Sequence, residues 1–117
     1  MVSKHFKRPE FACKCGCGFA VVDVELLAIL EDVRNHFDSP VIINSACRCE
    51  SHNKAVGGAS GSKHKLGIAA DIVVKGVSPD KVYSYLYSAF PNTHGVGRYN
   101  SFTHIDVRST YSRWDYR

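Results

Sequence analysis

Apolar residues recur at helical spacing at Leu26, Leu30, Val33 and Phe37, which is the stripe of a helix that buries one face. Asp23 is a suitable N-cap and Glu25 falls in the first turn, so the pattern predicts a helix over 23–37. Asp38-Ser39-Pro40 closes it, and Val41-Ile42-Ile43-Asn44 reads as a short buried strand. A second β-branched run, Ile72-Val73-Val74, follows Gly67 and predicts a strand near 69–75. Ser78-Pro79-Asp80 supplies a cap and a proline at the first helical position, opening a helix of about 79–90. Its inward face is Val82, Leu86 and Ala89, with Tyr85 or Phe90. The chain turns at 91–95, and Gly95 to Tyr99 and Phe102 to Arg108 form an antiparallel hairpin around Asn100-Ser101. Alternation puts His104, Asp106 and Arg108 on one face of the second strand and Thr103, Ile105 and Val107 on the other. Residues 1–20 lack a period and carry Pro9, Gly16 and Gly18; they read as an irregular arm pinned by Phe6, Phe11 and Phe19. Ser45 to Ser62 is a long polar segment, and such loops in compact domains are usually functional. The end of the chain, with Trp114 and Tyr116, has no period that assigns it.

These elements suit one domain spanning residues 1–117, long enough for a real core and too short for two. A content of 44% hydrophobic and 22% charged residues is that of a soluble globular chain. Fifteen Lys and Arg against 11 Asp and Glu give a formal charge of +4, a weak pull toward anionic surfaces that names no partner. Neither a basic helix nor an aromatic-basic stripe is present, so nucleic acid is not expected as a partner. No apolar run reaches the roughly 20 residues of a membrane helix, so no stable membrane insertion is expected. The basic N-terminus has no apolar segment behind it, so synthesis in the cytoplasm without a signal peptide is expected. The five cysteines, in Cys13-Lys14-Cys15-Gly16-Cys17 and Cys47-Arg48-Cys49, read as reduced thiols because they do not match the usual zinc-knuckle spacing, with a second, structural metal on either cluster as the alternative.

The chemistry concentrates in two places. His64 precedes Asp71 by seven residues, with Gly67 between them and the apolar run directly after. A turn there can bring an imidazole and a carboxylate onto one ion, and Zn²⁺ accepts both. His104-Ile105-Asp106 offers a third ligand. Taken singly, each residue reads as a solvated histidine or a strand-end carboxylate. Together they are harder to dismiss, because a carboxylate set against Ile72-Val73-Val74 is costly to desolvate unless paired or metal-bound.

The segments Asn44-Ser45-Ala46-Cys47-Arg48, His52-Asn53, Val56-Gly57-Gly58-Ala59, Ser62-x-His64-x-x-Gly67-x-Ala69-x-Asp71, Val96-Gly97-Arg98-Tyr99 and Phe102-x-His104-Ile105-Asp106-Val107-Arg108 resemble the zinc D-Ala-D-Ala carboxypeptidase family of bacterial and phage cell-wall peptidases. The resemblance runs from about Phe11 to Arg108 and implies a small α+β fold, with an antiparallel sheet carrying the zinc site and helices packed on one side. It implies His64, Asp71 and His104 as zinc ligands, leaving one position open, the pattern of a catalytic zinc. Arg48 matches the family's substrate-binding arginine, and Ser62 is a weaker candidate for substrate contact. Many relatives carry an acidic residue three positions before the last histidine; here that position is Ser101. Asp106 is then expected to be the general base or a carboxylate that orients a ligand. An alternative alignment exchanges His104 and Asp106 as ligand and acid/base. The implied activity is hydrolysis of peptidoglycan stem-peptide or cross-link amides by a monomer of the phage endolysin type, reaching the wall through a separate holin-like factor. Cleavage between L-Ala and D-Glu, and a non-catalytic zinc-containing binding module like the Hedgehog signalling domains, are the alternatives.

Overall fold

The computed structural model describes residues 5–11, 23–46 and 68–116. The described elements are a 3₁₀ turn (Arg8–Phe11), helix α1 (Val24–Phe37), strands β1 (Val41–Ser45) and β2 (Ala69–Val74), helix α2 (Pro79–Ala89), and strands β3 (Gly95–Arg98), β4 (Thr103–Asp106) and β5 (Ser112–Asp115).

Helix α1 begins where expected: the Asp23 carboxylate accepts from the backbone N–H of Glu25 (2.8 Å) and Leu26 (3.2 Å), satisfying two of the N–H groups that a helix start leaves without partners. It ends at Asp38, which takes a left-handed conformation (φ 49°, ψ 43°). Leu26, Leu30 and Val33 are wholly buried; each contributes roughly 1.5–3 kcal/mol of burial free energy. Helix α2 starts at Ser78, whose hydroxyl accepts from Lys81 N–H, with Pro79 following at the first helical position. Val82 and Leu86 are buried, while Ala89, expected on the inward face, is exposed. Phe90, just past the helix, takes that place and packs half-buried against the core.

The five strands lie in the order β1-β2-β4-β3-β5. All neighbours are antiparallel except β3 and β5, which run parallel. The fold is α+β as expected, but the sheet is mixed rather than purely antiparallel, and the segment left unassigned in the sequence is its parallel edge strand. Ser112 N–H donates to His94 C=O (3.1 Å) and Tyr116 N–H to Arg98 C=O (2.8 Å), holding β5 to the outer side of β3.

One face of the sheet meets both helices. Val41, Ile43, Ala70, Ile72, Val74, Val96 and Ile105 join the helical residues in a single core. Phe6 and Phe11 belong to that core with rings 6.0 Å apart, so the described stretch 5–11 is pinned by aromatic burial. Phe19, the cysteines and the polar segment that follows Ala46 lie outside the described residues. The opposite face of the sheet carries Asp71, His104 and Asp106.

Candidate metal centre

Antiparallel pairing of β2 with β4 sets Asp71 directly opposite His104, and Ala69 opposite Asp106. Side chains directly opposite in such a pair are close neighbours, and here they touch. His104 Nδ1 lies 2.9 Å from Asp71 Oδ1, and His104 Nε2 lies 2.8 Å from Asp106 Oδ2. The imidazole is thus held between two carboxylates, one from the neighbouring strand and one two residues along its own.

Asp71 and His104 are about nine-tenths enclosed, and the Asp106 side chain is wholly so. Burial alone disfavours a charged imidazole, but the hydrogen bonds to Asp106 and Asp71 outweigh it and raise the His104 pKa. Burial likewise works against the Asp106 carboxylate. Hydrogen bonds from His104 and Arg108 overcome it and hold Asp106 well below the usual carboxylate range.

Asp106 is braced from several sides. Arg108 grips it with Nε on Oδ1 and a terminal nitrogen on Oδ2, both at 2.7 Å, the bidentate fork of a strong ion pair. Backbone N–H groups of Gly95 and Arg108 donate to Oδ1 at 3.2 Å each. Gly95, which pairs with Asp106 across the β3–β4 ladder, makes room for this arrangement. A Cβ at Gly95 would collide with the Asp106 carboxylate and come within 2.7 Å of Arg108 Nε. The functional weight of Arg108 and Gly95 escaped the sequence reading, although the hairpin register carried the signal.

The donor set suits a small divalent cation in part. Two donors of a tetrahedral zinc site, each about 2.1 Å from the ion, stand about 3.4 Å apart. Asp71 Oδ1 and His104 Nδ1 are half an ångström closer than that, side by side on two rigid strands. If Nδ1 gave up its proton to a cation beside Asp71, Nε2–H would still donate to Asp106, the tautomer that a metal ligand requires. Among the described residues no group of three or more His, Cys, Asp or Glu is arranged to hold a metal. A third ligand for such a cation is not among them. His64, Arg48 and Ser62 lie outside the described residues, as does His52. His94 is buried, with Nδ1 3.2 Å from Arg108 C=O and its ring 4.5 Å from that of Phe90.

A family model described as Peptidase M15 matches residues 4–106. No curated protein matches the chain.

Proposed function

Because this chain belongs to the Peptidase M15 family, we propose that it is a zinc-dependent peptidase that hydrolyses amide bonds of peptidoglycan stem peptides or cross-links. The observation that carries the reading is the Asp71–His104 contact of 2.9 Å, with the second imidazole nitrogen anchored on Asp106. Two residues of the expected ligand set, 33 positions apart in sequence, stand side by side on one sheet face.

His64, Asp71 and His104 would hold the ion. Zinc, when bound, supplies a Lewis acid that lowers the pKa of water to about 7 and polarises the scissile carbonyl. The rest is the work of this chain's side chains. Asp71 brings negative charge to the cation and His104 a neutral nitrogen donor. Of the two roles expected for Asp106, we assign it the orienting one. Full enclosure and bonds to Arg108, His104 and the backbone support this, since a general base must face substrate. Arg48 would grip a substrate carboxylate or the carbonyl oxygen through its planar fork, and Ser62 would contact the substrate beside it. Among the described residues no helix is long and apolar enough to cross a membrane. We place the protein's action at the bacterial cell wall, reached from the cytoplasm through a separate membrane-permeabilising factor of the holin type, as with phage endolysins, and we expect a monomer.

The test is digestion of defined muropeptides, with fragments identified by mass spectrometry. Zinc-loaded protein should cleave, while His64→Ala, Asp71→Ala and His104→Ala should lose cleavage together with bound zinc. Cleavage between L-Ala and D-Glu would keep the peptidase and change its bond. Intact muropeptides in the presence of stoichiometric zinc would favour the binding module instead. Full activity after exhaustive metal removal would refute the proposal.

A further inference from the structure

The candidate centre has a wall that neither the motif nor the family match contains. The match ends at residue 106, whereas β5 spans Ser112–Asp115. Following the strand pairings across the sheet, Asp71 stands opposite His104, His104 opposite Gly97, and Gly97 opposite Trp114. These four residues form one row on one face. With strands about 4.8 Å apart, residues two strands away would ordinarily be separated by the side chain between them. Here that residue is glycine.

The indole of Trp114 uses the gap. A Cβ at Gly97 would collide with indole Nε1 and approach Cε2 to 2.5 Å and Cζ2 to 2.8 Å. Lying over Gly97, the indole brings its ring centroid to 5.0 Å from that of His104, tilted by 49°. The Arg108 guanidinium stands 5.3 Å from the Trp114 ring, within cation–π range, while its nitrogens grip Asp106. The indole is itself fixed, because Nε1–H donates to Tyr99 Oη at 2.9 Å. Gly95 and Gly97 thus clear two adjacent places on β3, one filled by the Asp106–Arg108 pair and the other by the indole.

We infer that Trp114 is a positioning residue of the centre: through the gap at Gly97 its indole holds the His104 ring from the side and braces the Arg108 fork that orients Asp106. The inference deepens the peptidase reading and rests on it. A histidine ligand free to swing must be ordered when metal or substrate arrives, and removing the groups that orient such ligands typically costs about 10–100-fold in metal affinity or activity. Trp114 does not touch the reacting atoms in this role. Its loss therefore falls on zinc affinity and kcat, with KM for the muropeptide nearly unchanged.

The chain has one tryptophan, which makes the test direct. Co²⁺ added to the metal-free wild type should quench its fluorescence, saturating at one ion per chain. Zinc affinity from chelator competition, and kcat and KM on a muropeptide, are then compared for the wild type, Trp114→Ala, Trp114→Phe and Gly97→Ala. Trp114→Ala should bind zinc about tenfold more weakly and lose at least tenfold in kcat, with KM within about twofold. Trp114→Phe, which keeps an aromatic ring under Arg108, should recover most of both. Gly97→Ala retains the tryptophan but pushes it off Gly97, so it should reproduce the loss and weaken Co²⁺ quenching. Wild-type zinc affinity and kcat in Gly97→Ala would overturn the inference, even if Trp114→Ala failed to fold. So would a Trp114→Ala protein that melts lower yet keeps both. A wild type that takes up neither Co²⁺ nor zinc would instead overturn the peptidase reading, and the inference with it.

Discussion

Asp106→Asn tests the bracing of the candidate centre with the least change of shape. The native carboxylate accepts from His104 Nε2 at 2.8 Å, from two Arg108 side-chain nitrogens at 2.7 Å, and from the backbone N–H of Gly95 and Arg108 at 3.2 Å. An asparagine replaces one oxygen by an NH₂ group that can only donate. Placed at Oδ2, the NH₂ faces His104 Nε2 and an Arg108 nitrogen; placed at Oδ1, it faces Arg108 Nε and two backbone N–H groups. Either way at least two donors lose their acceptor inside a closed site, and the guanidinium loses its counter-charge. Hydrogen bonds to a charged group are worth roughly 1.5–3 kcal/mol each, and breaking a buried ion pair costs about 3–5 kcal/mol. Arg108 is a quarter exposed and can recover some hydration, so the lower end applies, about 3 kcal/mol. For a domain of this size that is a fall in melting temperature of roughly 10–15 °C. The assay is thermal unfolding by circular dichroism with a chelator present, so that metal binding to the folded state does not mask the difference. A fall of less than about 3 °C would refute the claim that this carboxylate is the braced member of the cluster.

Three further outcomes are expected. Gly95→Ala places a methyl group against the Asp106 carboxylate and Arg108 Nε, and overpacking of this kind costs about 1–3 kcal/mol; urea unfolding equal to wild type would show that the site accommodates it. Asp23→Ala removes the acceptor for Glu25 and Leu26 N–H and should cost about 1 kcal/mol, read from the same urea midpoints at unchanged m-value. The Tyr85 phenol is pushed up to about 12 by burial and then by donation to Asp32. A raised pKa means that its contribution to stability is complete below the ordinary phenol value of 10.0 and disappears as pH rises through about 12. The ultraviolet titration difference between wild type and Tyr85→Phe should therefore step near 12, and a step near 10 would contradict the Tyr85–Asp32 bond.

Most of the scaffold was readable from periodicity. The stripe at Leu26, Leu30 and Val33 and the caps at Asp23 and Ser78 delivered both helices to within a residue or two, because burial and capping are local in sequence. The β3–β4 hairpin was equally plain, and its turn held more than was taken from it. A register centred on Asn100-Ser101 pairs Gly97 with His104 and Gly95 with Asp106, so the two cleared positions opposite the acid and the imidazole were already implied. What alternation could not give was burial. His104 and Asp106 lie on the polar face of β4, which favours a solvated reading, yet both are enclosed because Arg108 and Trp114 fold over the glycines. Strand β5 escaped for a related reason. Four residues at a sheet edge, pairing in parallel with a strand that precedes them by 17 positions, leave no local pattern. Of the expected ligand set, Asp71 and His104 came together through a long-range pairing that ligand chemistry and the zinc-peptidase resemblance anticipated and that local periodicity did not.

The order of strands across the sheet has a consequence for how the protein comes into being. β3 and β4 are joined by a tight turn and can zip up locally, but Asp71 meets His104 only after a separation of 33 residues has closed. On the ribosome, β1 and β2 emerge first and wait for β4 to insert beside them. Until synthesis has passed His104, the growing chain holds Asp71 without its histidine, and no cation captured early finds the pairing seen in the finished sheet.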